Sequence, residues 1–320
     1  MKRNEKIDIF FPGFTKKSLT FTIDDGNIPF DKKFIEIVKP CGIIGTFNLC
    51  QPNRTSVEEY KALYEGFEIA NHCKFHPYAF SDSKKYIISD EPLDTLNSPS
   101  ISGECPIIYK SEYENLYSMH IESRVKPNGW VHITDAESYF KLSEESRCEL
   151  EGIFGKGKIK SFVWPYCEQE NEKLVNFLRN AGYNSIRKTG EVGATTGFAL
   201  PADRMRWSYN ATNRTLLEHM AEYENAKDDG ELKFFAFGVH SYDFERDNNW
   251  CDLEEFANKY GNRPNDFYYA SVSDIFEYED AVKSLDITDK TVKNPSEKTV
   301  YLKINGEKTE LLPGTVLNLI

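Results

Sequence analysis

From residue 18 to residue 285 the chain alternates between short apolar runs and longer segments whose apolar residues recur every three or four positions. Short apolar runs are typical of buried strands, and the longer spacing is typical of amphipathic helices. The predicted strands are 18–23, 43–49, 67–70, 161–164, 185–187, 232–239 and 268–270. The predicted helices are 29–39, 57–64, 135–154, 171–181, 216–225, 253–260 and 272–285.

This β-α alternation covers about 270 residues, which is too long for a small open sheet. It predicts an α/β fold, either a parallel (β/α) barrel or a large doubly wound sheet. In such folds the reactive groups gather at the carboxyl ends of the strands. Four polar residues follow predicted strands at that end, namely Asp24, Asp25, His72 and His240.

Two parts of the chain depart from the alternation. The polar stretch 81–102, rich in Ser, Asp and Pro, predicts a long loop. After residue 285, the runs 299–304 and 307–312 alternate around Asn305-Gly306, which predicts a β-hairpin. We therefore expect a barrel over residues 1–285 and a small antiparallel β extension, 286–320, packed on it.

Charge and hydropathy exclude two classes of partner. The 320 residues contain 39 Lys and Arg against 51 Asp and Glu, a formal net charge of −12, so a nucleic-acid binder is not expected. No apolar run reaches the ~20 residues that a membrane span requires. The charged N-terminus leads into an apolar stretch that is broken by Asp8 and Pro12 and does not fit a secretory signal. This predicts a cytoplasmic protein if residue 1 is the native start, and a secreted protein is the alternative if it is not. The seven cysteines include no CxxC pair and predict reduced thiols.

The first candidate for chemistry is the strand end Asp24-Asp25-Gly26. Adjacent strand residues point to opposite faces, so the two carboxylates are expected to differ in role unless the strand turns there. Gly26 permits a sharp turn, and two adjacent anions repel unless a cation or a shared proton lies between them. The segment therefore predicts a metal ligand beside a base, although a solvated turn has the same composition.

The second candidate is the pair His72 and His76, which are four residues apart. On a helical turn this spacing brings both imidazoles to one face, where they can share a metal. With Asp25 they form a set of two histidines and one carboxylate, which leaves metal positions open for water and substrate. Two capping or core histidines are the alternative.

Two further strand ends carry candidate groups. Pro165 breaks the strand 161–164 and leaves the next backbone N–H free to donate. His240 ends the strand 232–239 and is either an acid catalyst or a core histidine.

Four motifs occur in order along the chain, at 22–26 (TIDDG), 72–77 (HCKFHP), 164–166 (WPY) and 237–240 (FGVH). Together they resemble the polysaccharide deacetylases of the NodB-homology type, carbohydrate esterase family four, over residues 15 to 285. The resemblance implies a distorted (β/α) barrel, usually of seven strands. It also implies metal-dependent removal of N-acetyl or related acyl groups.

Matched by position, the resemblance makes Asp24 the general base and His240 the general acid. It makes Asp25, His72 and His76 the ligands of a divalent metal, with zinc first and cobalt, nickel or iron(II) as alternatives.

The same resemblance implies a role for three residues on the substrate side. The backbone N–H of Tyr166, after Pro165, would hold the oxyanion, and Trp207 matches a tryptophan that lines the site.

The sequence departs from the family pattern at three places, one of which is Cys167, where glycine is common. Val163 stands where the family has an arginine that pairs with the base, and Arg204 or Arg206 is a candidate substitute. Cys73 stands where Ser or Thr is usual, and a buried thiol is expected there rather than a metal ligand.

The sequence therefore predicts a deacetylase acting on an N-acylated carbohydrate, with no nucleic-acid partner and a homo-oligomer as an open option. The missing arginine leaves two alternatives. The first is hydrolysis of a non-carbohydrate amide, formamide or cyclic imide on the same fold. The second is a catalytically weak, sugar-binding barrel.

Overall fold

The computed structural model describes residues 7–50, 56–74, 85–89, 108–110, 117–121, 131–134, 136–165 and 172–319. Its helices are α1 (Ile28–Val38), α2 (Val57–Leu63), α3 (Ala136–Phe154), α4 (Glu172–Asn180), α5 (Leu216–Glu224), α6 (Ser241–Arg246), α7 (Trp250–Tyr260) and α8 (Val272–Lys283). Within these described ranges, no helix combines the length and the apolar character that crossing a membrane requires.

The strands fall into a central parallel sheet and three smaller antiparallel sheets. The central strands are β2 (Lys17–Asp25), β3 (Thr46–Leu49), β4 (Glu68–Asn71), β9 (Ser161–Val163), β10 (Ser185–Glu191), β11 (Trp207–Tyr209), β12 (Lys233–His240) and β13 (Phe267–Tyr269). The peripheral strands are β1 (Ile7–Phe10), β5 (Lys85–Ser89), β6 (Ile108–Lys110), β7 (Tyr117–Ile121), β8 (Val131–Thr134), β14 (Asp286–Ile287), β15 (Thr291–Lys293), β16 (Val300–Ile304), β17 (Glu307–Leu311) and β18 (Val316–Asn318).

The central sheet has the order β11-β10-β9-β4-β3-β2-β12, and β13 pairs with β2 beside this path. The sheet curls back on itself just after β11. There the N–H of Asn210 donates to the carbonyl oxygen of Ala236 at 2.7 Å, and the N–H of Gly238 donates to that of Ala211 at 2.9 Å. Seven parallel strands of the described chain therefore surround one interior, which confirms the predicted distorted (β/α) barrel.

The two faces of β2 show why this sequence forms a barrel wall. Its apolar residues pack outward in the main core, where the Phe21 ring lies 5.0 Å from Phe34 of α1 and 5.4 Å from Phe47 of β3, between ring centroids. The intervening residues are polar, buried and directed to the interior. The outward set is Leu19, Phe21 and Ile23, and the inward set is Ser18, Thr20, Thr22 and Asp24.

One carboxylate ties the strands together at their amino ends. Glu68, the first residue of β4, accepts hydrogen bonds from Thr46 Oγ1 at 2.7 Å and from Ser161 Oγ at 2.9 Å. It also accepts one from the N–H of Ser273 in α8 at 3.1 Å. The barrel interior is thus anchored at the end opposite Asp24.

The peripheral strands confirm one prediction and overturn another. Asn305 and Gly306 both have left-handed φ angles, 52° and 91°, and join β16 to β17 as the predicted hairpin. The N-terminal strand β1 pairs with β16, a long-range pairing that the sequence pattern did not indicate.

The predicted loop 81–102 is wrong for Lys85–Ser89, which forms a strand between β7 and β8 because it contains strand-favouring Tyr86, Ile87 and Ile88. Residues 90–102 of that predicted loop lie outside the described ranges.

The close approach of Gly45 to Phe21 yields a stability prediction. A Cβ at buried Gly45 would lie 2.4 Å from Cγ of the Phe21 ring, so Gly45→Ala should lower the free energy of unfolding by about 1–3 kcal/mol. Gly152→Ala is the matched control, because a Cβ on that exposed α3 position meets no atom within 4 Å. It should be neutral or stabilising by up to about 1 kcal/mol. Equal denaturant midpoints for the two variants would contradict the packing described for β2.

Candidate active site

The carboxyl ends of the central strands lie level with one another. Asp24 of β2 is in register with Asn48 of β3 on one side and with His240 of β12 on the other. The neighbouring strands β2, β3 and β4 end in register at Asp25, Leu49 and Asn71. A cavity of about 450 Å³ opens at this rim, and its lining includes Asp24, Asp25, His72, Arg187 and His240.

Asp25 faces this cavity because the strand turns there. Its φ is 76° and that of Gly26 is 74°, so both residues adopt the left-handed conformation. For a non-glycine residue this conformation costs about 1–3 kcal/mol and is concentrated at functional sites. The turn brings Asp25 Oδ1 to 3.4 Å from Nε2 of His72 and Oδ2 to 3.7 Å from Nε2 of His240. The Tyr242 hydroxyl donates to Oδ2 at 3.0 Å.

His72 is held in the orientation that metal ligands require. Its Nδ1 lies 2.9 Å from the carbonyl oxygen of Val163, which can only accept, so the ring proton belongs on Nδ1. Nε2 then faces the Asp25 carboxylate inside a pocket where His72 is 1% exposed. A ring nitrogen and a carboxylate oxygen facing each other at this distance fit a shared cation, and the second nitrogen bonded to backbone is typical of metal-bound histidine.

Asp24 is paired with Arg187, a residue that the sequence analysis did not single out. Nη2 of Arg187 lies 2.5 Å from both carboxylate oxygens, and Asn48 Nδ2 donates to Oδ1 at 2.6 Å. Burial alone would raise the pKa of Asp24, but the Arg187 guanidinium, His72 and His240 together outweigh burial and hold that pKa below its usual value. Asp24 is therefore ionised at neutral pH.

Arg187 supplies the guanidinium that Val163 lacks. The two residues are register partners on the adjacent parallel strands β10 and β9, so the cation reaches the same level of the barrel from the next strand. The substitutes suggested by the sequence are wrong, because both arginines pair elsewhere. Arg204 binds Glu279 and Asp280, and Arg206 binds Glu172 and Asp203.

Gly238 of β12 leaves the space that Arg187 occupies. A Cβ at this position would lie 2.2 Å from the Tyr209 ring and 2.8 Å from Nη1 of Arg187. The Tyr209 ring in turn lies 5.3 Å from the guanidinium carbon, which adds a cation–π contact. Gly238, two residues before His240, therefore leaves room in the site for the side chains of Arg187 and Tyr209.

His240 lies across the cavity from His72 and is the more exposed of the two. Its Nδ1 is 3.0 Å from Oδ2 of Asp243, and its ring stacks on Tyr242 with centroids 4.7 Å apart. Burial alone would lower the pKa of His240, but the nearby carboxylates of Asp25 and Asp243 outweigh it and raise the pKa to about 9. Nε2 is thus a proton donor directed to the Asp25 side of the cavity.

The structure does not bring every predicted residue to this site. His76 and Tyr166 lie outside the described residues, and their roles stay predictions. Pro165 is buried just beyond β9. Trp207 packs against Phe234 and Phe276, 5.7 Å from each ring centroid, in a second apolar core and not against the cavity.

The chain is similar to several solved structures. A Mycobacterium smegmatis protein assigned as a polysaccharide deacetylase is 13% identical, over 86% of this chain and 94% of its own, with a TM-score of 0.50. Peptidoglycan deacetylase PdaC from Bacillus subtilis is also 13% identical, over 86% and 96%, with a TM-score of 0.42. The Xyl-CE4 domain of a xylanase from the hindgut metagenome of Trinervitermes trinervoides is 15% identical, over 83% and 92%, with a TM-score of 0.44.

The first of these comparisons shows that the chain has the polysaccharide-deacetylase fold which its motifs predicted. Identities this low bear on the fold alone. No protein-family model and no curated protein sequence matches the chain.

The Asp24–Arg187 pair predicts a specific pattern of stability. Arg187→Ala would leave a buried carboxylate without its counter-charge and should lower the free energy of unfolding by roughly 3–5 kcal/mol at pH 7. Asp24→Asn combined with Arg187→Ala should recover part of this loss, because the uncompensated charge is gone. Denaturant unfolding of the double-mutant cycle measures both effects.

The Asp24–Arg187 pair also determines the direction in which the free energy of unfolding changes with pH. Because the pKa of Asp24 is depressed in the folded state, its stabilisation is present above the unfolded value, about 3.9, and is lost as pH falls through the folded value. In Arg187→Ala, protonation of Asp24 removes the uncompensated charge, so the difference between wild type and this variant should shrink as the pH falls from 7 to 3. A difference that stays constant between pH 7 and pH 3 would show that the pair is not ionic.

Proposed function

We propose that this chain is a metal-dependent hydrolase that removes an N-acetyl or related acyl group from a carbohydrate. The observation that carries the proposal is the contrast between two adjacent carboxylates. Arg187 balances the negative charge of Asp24, so this carboxylate stays ionised. The Asp25 carboxylate turns instead toward the imidazoles of His72 and His240. Neighbouring acidic groups in such different environments are typical of sites that divide base and ligand roles between them.

The residues present fit a divalent cation. Asp25 and His72 would hold it, joined by His76 as the motif resemblance implies, with zinc as the first candidate and cobalt, nickel or iron(II) as alternatives. A cation in this position would polarise the acyl carbonyl and lower the pKa of a coordinated water.

Asp24 is the proposed base. Its carboxylate is ionised and held by Arg187 and Asn48, so it can take a proton from the water that attacks the acyl carbon. Asn48 belongs to the neighbouring strand β3, and Arg187 reaches Asp24 from β10 of the same sheet. Both partners are thus held by the barrel wall, so the carboxylate does not need to reorganise during the reaction.

His240 is the proposed acid. A nitrogen cannot leave an amide as an anion at neutral pH, so a proton donor is required on the leaving-group side. The pKa of about 9 keeps the imidazole protonated at neutral pH in the metal-free protein, and the ring faces the cavity with 34% of its side chain exposed. Tyr166 would hold the oxyanion through its backbone N–H, as the resemblance implies.

The Asp24–Arg187 pair bears on the alternatives. The alternative of a catalytically weak, sugar-binding barrel was suggested by Val163 in place of an arginine. Because Arg187 supplies a guanidinium from the adjacent strand, that reason no longer applies. Non-carbohydrate amides, formamides and cyclic imides remain outcomes of a substrate screen.

The proposal predicts acetate release from N-acetylated chito-oligosaccharides by the zinc-loaded protein. Asp24→Asn and His240→Gln should each lower kcat by roughly 10²–10⁴-fold, since each removes one proton transfer. His219→Gln is the matched control, because His219 bonds to the carbonyl oxygen of Asn210 and is not among the described residues that line the cavity.

Released acetate, measured with an enzymatic assay, reports the activity, and circular dichroism confirms that each variant is folded. If the protein hydrolyses cyclic imides or formamides but no acetylated sugar, the non-carbohydrate alternative would replace the proposal. Full activity in folded Asp24→Asn would reject the proposed division of roles.

A further inference from the structure

The two cysteines nearest the site, Cys50 and Cys73, face opposite sides of the sheet because successive strand residues alternate between its faces. In β3 the inward residues are Thr46 and Asn48, and the alternation continues to Cys50 just beyond the strand end. In β4 the inward series leads to His72, so the next residue, Cys73, faces outward. Cys73 indeed belongs to the main apolar core, with its sulfur 3.5 Å from Oγ of Ser143 in α3.

The order of the strands places Cys50 between the two proposed metal ligands. β3 lies between β2, which ends at Asp25, and β4, which leads into His72. The backbone N–H of His72 donates to the carbonyl oxygen of Leu49 at 2.9 Å, and Cys50 Sγ lies 3.5 Å from the carbonyl oxygen of His72. The thiol is therefore held at the level of both ligands.

Three donor atoms of different kinds converge at this point. One carboxylate oxygen of Asp25, one ring nitrogen of His72 and the sulfur of Cys50 all lie within 4.8 Å of one another. Bond lengths of 2.0–2.3 Å in a tetrahedral site would place such donors roughly 3.5 Å apart, so a small contraction would bring all three onto one ion.

We propose that Cys50 is a thiolate ligand of the metal ion, together with Asp25 and His72. The inference rests on the proposed function for the presence of a metal, and it concerns the donor set that holds the ion. Coordination replaces the S–H bond with a sulfur–metal bond, and the released proton passes to solvent.

Cys50 lies on the buried side of the site and not in the cavity that would receive the substrate. The residue is fully buried and does not line the cavity, whereas Asp25 and His72 do. The sulfur therefore binds from the floor of the site. With His76 as a fourth protein ligand, water or substrate would occupy a fifth position on the cavity side. A carboxylate, imidazole and thiolate set favours zinc or cobalt(II) over magnesium or manganese.

Cobalt(II) substitution tests the sulfur ligand directly. A cobalt–thiolate bond gives a sulfur-to-metal charge-transfer band in the near ultraviolet, which oxygen and nitrogen ligands do not give. We expect this band in the cobalt-loaded wild-type protein and in Cys73→Ser, the control for an adjacent buried thiol. It should be absent from Cys50→Ser.

Zinc affinity provides a second measurement, by competition with a chromophoric chelator. Outer-shell substitutions typically weaken metal binding by about 10–100-fold, so loss of a direct ligand in Cys50→Ser should weaken zinc binding at least that much. Cys73→Ser should bind zinc as the wild type does, and circular dichroism shows whether both variants are folded.

The wild-type spectrum decides the inference even if Cys50→Ser fails to fold. Cobalt-loaded wild type that releases acetate but shows no charge-transfer band overturns the Cys50 ligand and leaves the proposed function standing. A band that survives in Cys50→Ser also overturns it. Wild-type protein that binds neither cobalt nor zinc overturns both the Cys50 ligand and the metal-dependent function.

Discussion

The ion pair between Asp24 and Arg187 is the interaction on which the rest of the site depends. Two carboxylates on consecutive residues repel each other, and both lie in the mouth of a barrel with little access to water. The guanidinium neutralises the first, and the left-handed turn at Asp25 separates the second from it. One carboxylate is thereby kept ionised while the other is available to a cation, which is what the proposed roles of base and metal ligand require.

The barrel supplies this arrangement through the geometry of its strands. Residues two apart on each strand face the interior, and parallel strands in register bring their carboxyl ends to one rim. The carboxylates in the interior receive partners from neighbouring strands, as Asp24 does at one end and Glu68 does at the other. The interior therefore tolerates charge because the partners are built into the wall, whereas the apolar core lies outside it among the helices.

The sequence was most informative where chemistry and local pattern coincide. The β-α alternation, the Asn305-Gly306 hairpin and the gathering of Asp24, Asp25, His72 and His240 at strand ends all follow from short-range signals. Arg187 could not be found that way, because its partner lies 163 positions away and the pairing depends on strand order. The local signal was no more than a charged residue at the end of the short predicted strand 185–187.

Trp207 and the cysteines show the same limit. Trp207 matched a family position by residue type, but the short strand β11 directs its ring into the core beside α8. Cys73, which adjoins His72, is the buried thiol that the sequence predicted, whereas the cysteine that reaches the proposed ligands is Cys50, on the strand between them, which the sequence did not single out. In both cases the side of the strand decides the role, and sequence adjacency does not reveal it.

The most direct test of the division between the two carboxylates is a crystal structure of the zinc-loaded protein with anomalous scattering measured at the zinc edge. The account predicts one strong peak in bonding contact with Asp25 and His72, while Asp24 remains paired with Arg187. A peak bound to Asp24, with Arg187 displaced, would contradict it.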